Sequence, residues 1–218
     1  MKAGKIAFMD GRVGILAYGS LLSHPGAELA GLIERRIDGA LTPFAVEFAR
    51  AASRRSGAPT LAPVDRGGTQ VEGSLLLLEK GTGLELARHA LYRREINQVG
   101  SSELTYDHHA LSSPNRVRVD HLCDHWGCAN VIYAKLPVTL EPDPVDLAHR
   151  AIASARATAG REGRDGISYL MGVKANGVTT PLAPSYEREI LRQTGTASLS
   201  EALKRTVRSP ERPPTPRP

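Results

Sequence analysis

The chain has 218 residues, of which 41% are hydrophobic and 23% charged, with a formal net charge of +5. It is long enough to bury one sizeable core, and no apolar run approaches the ~18 residues of a membrane span, so neither a disordered chain nor a membrane partner is expected. The first residues lack the apolar core of a signal peptide, and two cysteines are too few for a disulfide scaffold, so we expect a cytoplasmic protein.

Short strands dominate the first third of the chain. The apolar run 13–18 predicts a buried strand that ends in a sharp turn at Gly19 and Ser20. Further strands are predicted at 45–48, 60–64 and 71–78, separated by glycine-rich turn signals. This pattern indicates an antiparallel or mixed sheet that can curl into a barrel.

The first predicted helix covers residues 83–95, because Thr82 and Glu85 have the spacing of a capping box and no proline interrupts the stretch. A polar segment follows this helix, and the next strand is predicted at 130–138.

Two later helices have recognisable boundaries. Asp143 before a proline predicts a helix over 144–158, and Ser185 as N-cap with Gly195 beyond the end predicts one over 186–194. Strands early and helices late indicate an α+β fold.

The positive charge is concentrated at the C-terminal end of the sequence. Residues 204–218 hold five of the 28 basic residues and one of the 23 acidic ones, so the preceding 203 residues carry only +1. Proline and arginine dominate this segment, and it cannot form a core. The sequence therefore predicts one domain over 1–203 and a disordered basic tail over 204–218.

Paired arginines raise the alternative of a nucleic-acid-binding module. Aromatic residues, which such modules interleave with basic ones, make up only 5% of the chain. We expect the pairs to lie on a solvated surface and expect no nucleic-acid partner. The pairs are Arg35-Arg36, Arg54-Arg55 and Arg93-Arg94.

The turn after the first strand is a candidate anion site. Gly19 can adopt backbone conformations closed to other residues, and the amides of Ser20, Leu21 and Leu22 can then converge on a carboxylate. The alternative is a routine strand-to-loop turn with Tyr18 in the core.

Glu95 is the candidate general acid or base. At ~100° per residue, Leu84, Ala87 and Leu91 share one helix face, and Glu95 returns to within roughly 20° of Leu84. A carboxylate in apolar surroundings suits proton transfer near neutral pH, because desolvation raises its pKa. The alternative is that Glu95 turns outward or pairs with an arginine, for which Arg88 is the candidate nearer to this face.

Two motifs give the chain a resemblance to a known family. The run Ile15-Leu16-Ala17-Tyr18-Gly19-Ser20-Leu21, followed some 75 residues later by Leu91-Tyr92-Arg93-Arg94-Glu95, resembles the γ-glutamylcyclotransferase-like family. That family includes the cation-transport-regulator-type and avirulence-induced-gene-type cyclotransferases. The likeness covers approximately residues 13–138.

The resemblance implies a compact mixed β-barrel flanked by helices and an enzyme without a cofactor. It would cleave a γ-glutamyl amide or peptide by intramolecular aminolysis, releasing 5-oxoproline and an amine, as in glutathione metabolism. Tyr18, Gly19, Ser20 and Leu21 would bind the substrate, and Glu95 would be the catalytic acid/base. The alternative on the same fold is an amide hydrolase like the allophanate-hydrolase accessory domain.

The histidine- and cysteine-rich segment 107–128 raises the question of a metal. His121, Cys123, His125 and Cys128 have ligand chemistry that zinc accepts, but their spacing matches no established zinc finger. The alternative is a polar loop with Trp126 buried, and we expect no metal site.

Overall fold

The computed structural model of the chain describes residues 9–107 and 116–207, and these contain seven strands and seven α-helices. The early part is mostly strand and the late part mostly helix, which confirms the α+β class and the mixed sheet. In chain order the elements are β1 (Met9–Ala17), α1 (Ala27–Ala30), β2 (Ile33–Leu41), β3 (Ala45–Ala52), β4 (Ala58–Val64), β5 (Glu72–Leu78), α2 (Leu84–Glu95), β6 (Arg118–His125), β7 (Cys128–Lys135), α3 (Pro144–Arg156), α4 (Thr158–Arg161), α5 (Gly166–Ala175), α6 (Ala183–Thr194) and α7 (Leu199–Val207).

The contacts divide the chain into two compact units. The first comprises the chain up to Ala45 together with Gln70–Pro137, and the second comprises Val46–Thr69 together with the chain from Val138 onward. The prediction of a single domain over 1–203 stays a prediction. The disordered tail was predicted to begin at residue 204. In the structure, residues 204–207 form the end of α7, and Thr206 is buried. Residues 208–218 lie outside the described residues.

The first unit is built on a five-stranded sheet in the order β2-β5-β1-β7-β6. Strand β1 lies in its centre, antiparallel to β5 and parallel to β7. Both neighbours are apolar, and the four leucines of β5, Leu75–Leu78, are almost fully buried. Burial on both faces explains why these strands are continuous apolar runs rather than alternating ones.

A glycine allows β5 to approach the end of β1 closely. A Cβ atom on Gly73 would lie 2.2 Å from the carbonyl oxygen of Ala17, so no side chain fits there. Ala17 is the last residue of β1, directly before Tyr18. The glycine thus maintains the packing beneath the candidate turn.

The second unit combines the two-stranded sheet of β3 and β4 with helices α3 to α7. A fully buried carboxylate, Glu47, connects these layers. It accepts hydrogen bonds from the amide of Phe48 at 2.8 Å, the hydroxyl of Thr180 at 2.5 Å and the amide of Leu182 at 3.0 Å. Three donors satisfy a charge that would otherwise be costly to bury.

The predicted strands of the first half are confirmed, with β1 beginning earlier and β3 extending to Ala52. Two charged strands, β2 and β6, were not predicted. They form the two edges of the five-stranded sheet, where polar side chains can face solvent.

Helix α2 is confirmed, but the predicted capping box is wrong. The N-cap is Gly83, which has no side chain to cap with, and Glu85 pairs instead with Arg88, 2.5 Å from its Nη1. Helix α3 is confirmed with its cap, since Asp143 Oδ1 accepts a hydrogen bond from the amide of Asp146 at 2.9 Å.

Helix α6 is confirmed at its C-terminal boundary, where Gly195 is left-handed with φ 62°. Ser185 lies inside the helix and not at its N-cap, because α6 begins at Ala183. Helices α1, α4, α5 and α7 were not predicted. None of the helices in residues 9–107 and 116–207 combines the length and apolar character that crossing a membrane requires.

Candidate functional site

The turn after β1 has the backbone that the sequence predicted. Tyr18 continues the extended strand with φ −142° and ψ 155°, and Gly19 then takes a left-handed φ of 66°. Residues Gly19–Leu21 form one 3₁₀ turn, closed by hydrogen bonds from Leu22 N to Gly19 O at 3.2 Å and from His24 N to Ser20 O at 2.9 Å. The first amides of such a turn have no acceptor within it. Since only glycine adopts this φ without strain, the turn depends on Gly19.

The predicted substrate residues differ in their exposure. Gly19 and Leu21 are buried, whereas Tyr18 and Ser20 are partly exposed. The Tyr18 hydroxyl donates to the carbonyl oxygen of Ala134 on β7 at 3.0 Å. The tyrosine is therefore fixed to the neighbouring strand while part of its surface stays accessible.

Glu95 is the last residue of α2, whose buried face is formed by Ala87, Ala90 and Leu91. The Glu95 side chain is only 10% exposed. Its Oε1 lies 2.6 Å from Nη1 of Arg94, so Glu95 pairs with an arginine, the alternative left open by the sequence. The arginine is Arg94 and not Arg88, which pairs with Glu85.

Arg94 brings the turn and Glu95 together. Its Nη2 donates to Ser20 Oγ at 3.3 Å and to the carbonyl oxygen of His24 at 2.8 Å, while Nε donates to the same carbonyl at 3.1 Å. One guanidinium thus contacts the candidate base and both ends of the loop that follows Gly19. Sequence reasoning missed Arg94, because a helical projection considers where a residue points and not how far a long side chain reaches.

Arg93 anchors the same helix end to α1. Although the helical projection directs it away from the apolar stripe, Arg93 is buried and forms an ion pair with Glu28 of α1, with Nε 3.0 Å from Oε2. Its Nη1 also donates to the carbonyl oxygen of Leu104 at 2.8 Å. This ion pair lowers the pKa of Glu28, chiefly through the hydrogen bond from Arg93. Arg93 and Arg94 therefore fix the C-terminal end of α2 from two sides.

A third arginine contacts the turn from the sheet. Arg36 on β2 donates from Nη1 to the carbonyl oxygen of Leu22 at 3.3 Å and from Nε to the hydroxyl of Ser74 at 2.9 Å. Asp38 accepts from both Arg36 and Ser74, and these bonds lower its pKa, with the Ser74 bond the larger cause. Among the three arginine pairs, Arg36, Arg55, Arg93 and Arg94 each donate hydrogen bonds to other parts of the fold, so these four side chains are not simply solvated.

Within the histidine- and cysteine-rich segment, residues 118–128 form β6 and the turn that leads into β7, so they belong to the β6–β7 hairpin. Its two-residue loop is Trp126-Gly127, with φ 49° and 78°, the backbone of a type I′ turn. Cys128 is buried in the apolar core of the sheet, and burial raises the pKa of its thiol, whereas Cys123 is exposed. In the part of the chain that the structure describes, no three His, Cys, Asp or Glu side chains are grouped closely enough to hold a metal ion. His108 and His109 lie outside the described residues.

Comparison of the chain with models of known protein families gives no match, and comparison with curated proteins gives none.

Proposed function

We propose that the chain is a γ-glutamylcyclotransferase-type enzyme that releases 5-oxoproline from a γ-glutamyl amide. One observation carries the proposal: the guanidinium of Arg94 bonds both the Glu95 carboxylate and the Ser20 hydroxyl, so a largely buried carboxylate lies beside a glycine turn. The two motifs that resemble the family lie about 75 residues apart in sequence, and the bond from Arg94 to Ser20 joins them. A contact between the two motifs is expected if they form one site, and it supports the proposal.

The turn offers a binding site for the glutamyl head. The amides of Gly19, Ser20 and Leu21 would hold the α-carboxylate of the substrate, since successive backbone N–H groups form a concavity for an anion. Tyr18 would bound the pocket beside them. The α-ammonium and the γ-carbonyl of the same head would then lie toward Glu95.

The reaction needs one carboxylate in two steps. Glu95 takes a proton from the α-ammonium, and the freed amine attacks the γ-carbonyl carbon of its own chain. The new C–N bond closes the five-membered ring as the old amide C–N bond breaks, and Glu95 returns the first proton to the departing nitrogen. The ring nitrogen loses a second proton on ring closure, and the released amine takes it up as an ammonium ion. Because the attack is intramolecular, orientation supplies much of the acceleration.

We also propose that the chain has the fold of the γ-glutamylcyclotransferase-like family and belongs to it. The five-stranded mixed sheet of the first unit, with β1 in its centre and the turn at its end, is compatible with the barrel of the γ-glutamylcyclotransferase-like family. Ser20 is a poor candidate for a nucleophile, because it contacts Arg94 and no histidine base is among its described partners. A binding role for Ser20 therefore suits the site better.

A panel of γ-glutamyl compounds tests the proposal. The purified chain would be incubated with glutathione, γ-glutamyl amino acids and γ-glutamyl amines, and the products identified by mass spectrometry. Formation of 5-oxoproline with one equivalent of free amine supports cyclotransfer. Formation of glutamate would instead identify a hydrolase, and no product from any compound would overturn the proposal.

A further inference from the structure

We propose that Arg36, held in place by Ser74 and Asp38, is a positioning residue that orients the turn Gly19–Leu21 toward the substrate. These three side chains are called the sheet-side cluster below. The inference rests on the proposed function, since it concerns the amides that would hold the α-carboxylate of the γ-glutamyl head.

Ser74 is a polar residue at a buried position of β5. It is 1% exposed and directly precedes the four buried leucines of that strand. A buried hydroxyl needs hydrogen-bond partners, and Ser74 has two in the cluster. It donates to Asp38 Oδ1 at 2.7 Å and accepts from Arg36 Nε at 2.9 Å, and Asp38 Oδ1 also accepts from Arg36 Nε at 2.6 Å. Ser74 and Asp38 together fix the direction of the Arg36 side chain.

The strand register places the sheet-side cluster at the end of β1 and on the side of the sheet where α2 packs. Ser74 is paired with Asp38 on one side and with Ala17, the last residue of β1, on the other. Arg36 lies two residues before Asp38 and so points to the same face, which is the face opposite Leu16. The turn that begins after Ala17 therefore has the cluster directly beside it.

Arg36 and Arg94 hold two carbonyl groups of the same loop. Arg36 Nη1 donates to the carbonyl oxygen of Leu22 at 3.3 Å, and Arg94 Nη2 donates to that of His24 at 2.8 Å. Leu22 is the C-cap of the 3₁₀ turn, where a basic side chain can bond the last carbonyls. A loop held at one carbonyl can pivot about that bond, whereas two holds fix the directions of its peptide groups. The amides of Gly19–Leu21 then keep the orientation that an anion site requires.

Arg36→Gln tests the inference, because it removes the donor to Leu22. The Arg36 side chain is 44% exposed, so the variant should fold. With the compound of the γ-glutamyl panel that has the highest kcat/KM, we expect KM to rise about 5- to 10-fold while kcat stays within about threefold, since binding of the carboxylate is what is lost.

Inhibition by glutaric acid monoamide gives a second readout of the same interaction. This compound keeps the carboxylate and the amide of the γ-glutamyl head but has no α-ammonium, so it cannot cyclise. Its Ki in Arg36→Gln should rise by the same factor as KM, because both constants depend on the same turn amides.

Arg35→Gln is the matched control, because it removes the same charge from the opposite face of β2. Its KM and Ki should stay within about twofold of those of the original chain. Ser74→Ala removes a support of Arg36 without changing the arginine, and should raise KM about threefold or more. It decides the question should Arg36→Gln fail to fold in circular dichroism and thermal melting.

The outcomes separate the inference from the proposed function. An unchanged KM and Ki in a folded Arg36→Gln protein, a loss confined to kcat, or an equal rise in Arg35→Gln would overturn the positioning role. Continued formation of 5-oxoproline would leave cyclotransfer intact in each of these cases. An original chain that forms no 5-oxoproline from any compound would overturn the proposed function and the inference with it.

Discussion

Arg94 and Glu95 are neighbours in sequence, and their side chains form an ion pair with Nη1 and Oε1 2.6 Å apart. The same guanidinium contacts Ser20 and the carbonyl oxygen of His24. A residue that bonds both the turn and Glu95 fixes their separation. In the proposed reaction, a γ-glutamyl group held by the turn would reach Glu95 only at the right separation.

Arg94→Lys tests this positioning role. Lysine keeps the charge but lacks the planar fork that reaches three partners, so kcat/KM should fall by about 10- to 100-fold. The loss should appear mainly in kcat if orientation toward Glu95 is what Arg94 provides. Steady-state kinetics with 5-oxoproline detection measures the split.

Arg88→Lys is the matched control for Arg94→Lys, because Arg88 lies on the same helix but pairs with Glu85. It should change kcat/KM by no more than about twofold. Equal losses in the two lysine variants would argue against a specific role for Arg94.

Gly19→Ala tests the dependence of the turn on a left-handed residue. At φ 66° an alanine is strained, so the variant should lose about 1–2 kcal/mol of unfolding free energy in urea denaturation. It should also raise KM, since the amides that would hold the substrate carboxylate move with the turn. Gly172→Ala in α5 has open space around the new methyl and should instead gain about 0.5–1 kcal/mol. A neutral Gly19→Ala would show that the turn does not need glycine.

The Glu28–Arg93 ion pair predicts a pH-dependent stability. Arg93 lowers the folded pKa of Glu28, so the pair stabilises the folded state above the unfolded pKa of about 4.3. This contribution is lost as pH falls from there through the folded pKa. Glu28→Gln, which leaves Arg93 buried without its carboxylate, should cost about 3–5 kcal/mol at pH 7.

Urea denaturation at a series of pH values measures this effect. The stability difference between the original chain and Glu28→Gln should be large at pH 7 and shrink on acidification toward pH 3. Glu34→Gln, which breaks the exposed pair with Arg12, should change stability much less at every pH. A constant difference for Glu28→Gln across the range would contradict the assignment.

The buried strands and the long helices were predictable, but the sheet edges were not. Strand β2 carries Glu34, Arg35, Arg36 and Asp38, and β6 is similarly polar, so neither shows the apolar pattern of a buried strand. Edge strands need little burial and gain from charge, which prevents pairing with other chains. Their sequences therefore look like loops until β5 and β7 are seen to pair with them.

The sequence predicted the individual residues of the candidate site but not the contact that joins them. The left-handed Gly19 follows from local sequence, and Glu95 at a helix end follows from periodicity. Their contact depends on Arg94 and on the Arg93–Glu28 pair, which join residues about 65 to 75 positions apart. No local pattern encodes a long-range contact of this kind, and long arginine side chains reach beyond the face that a helical projection assigns to them.

The reaction of Glu95→Gln with a γ-glutamyl substrate tests the central claim most directly. Glutamine keeps the size of the side chain but cannot accept the proton, so 5-oxoproline formation should fall by about 10²- to 10⁴-fold while the melting temperature stays close to that of the original chain. Glu85→Gln, on the exposed start of the same helix, should retain full activity. A folded Glu95→Gln protein that releases 5-oxoproline at the original rate would contradict the account.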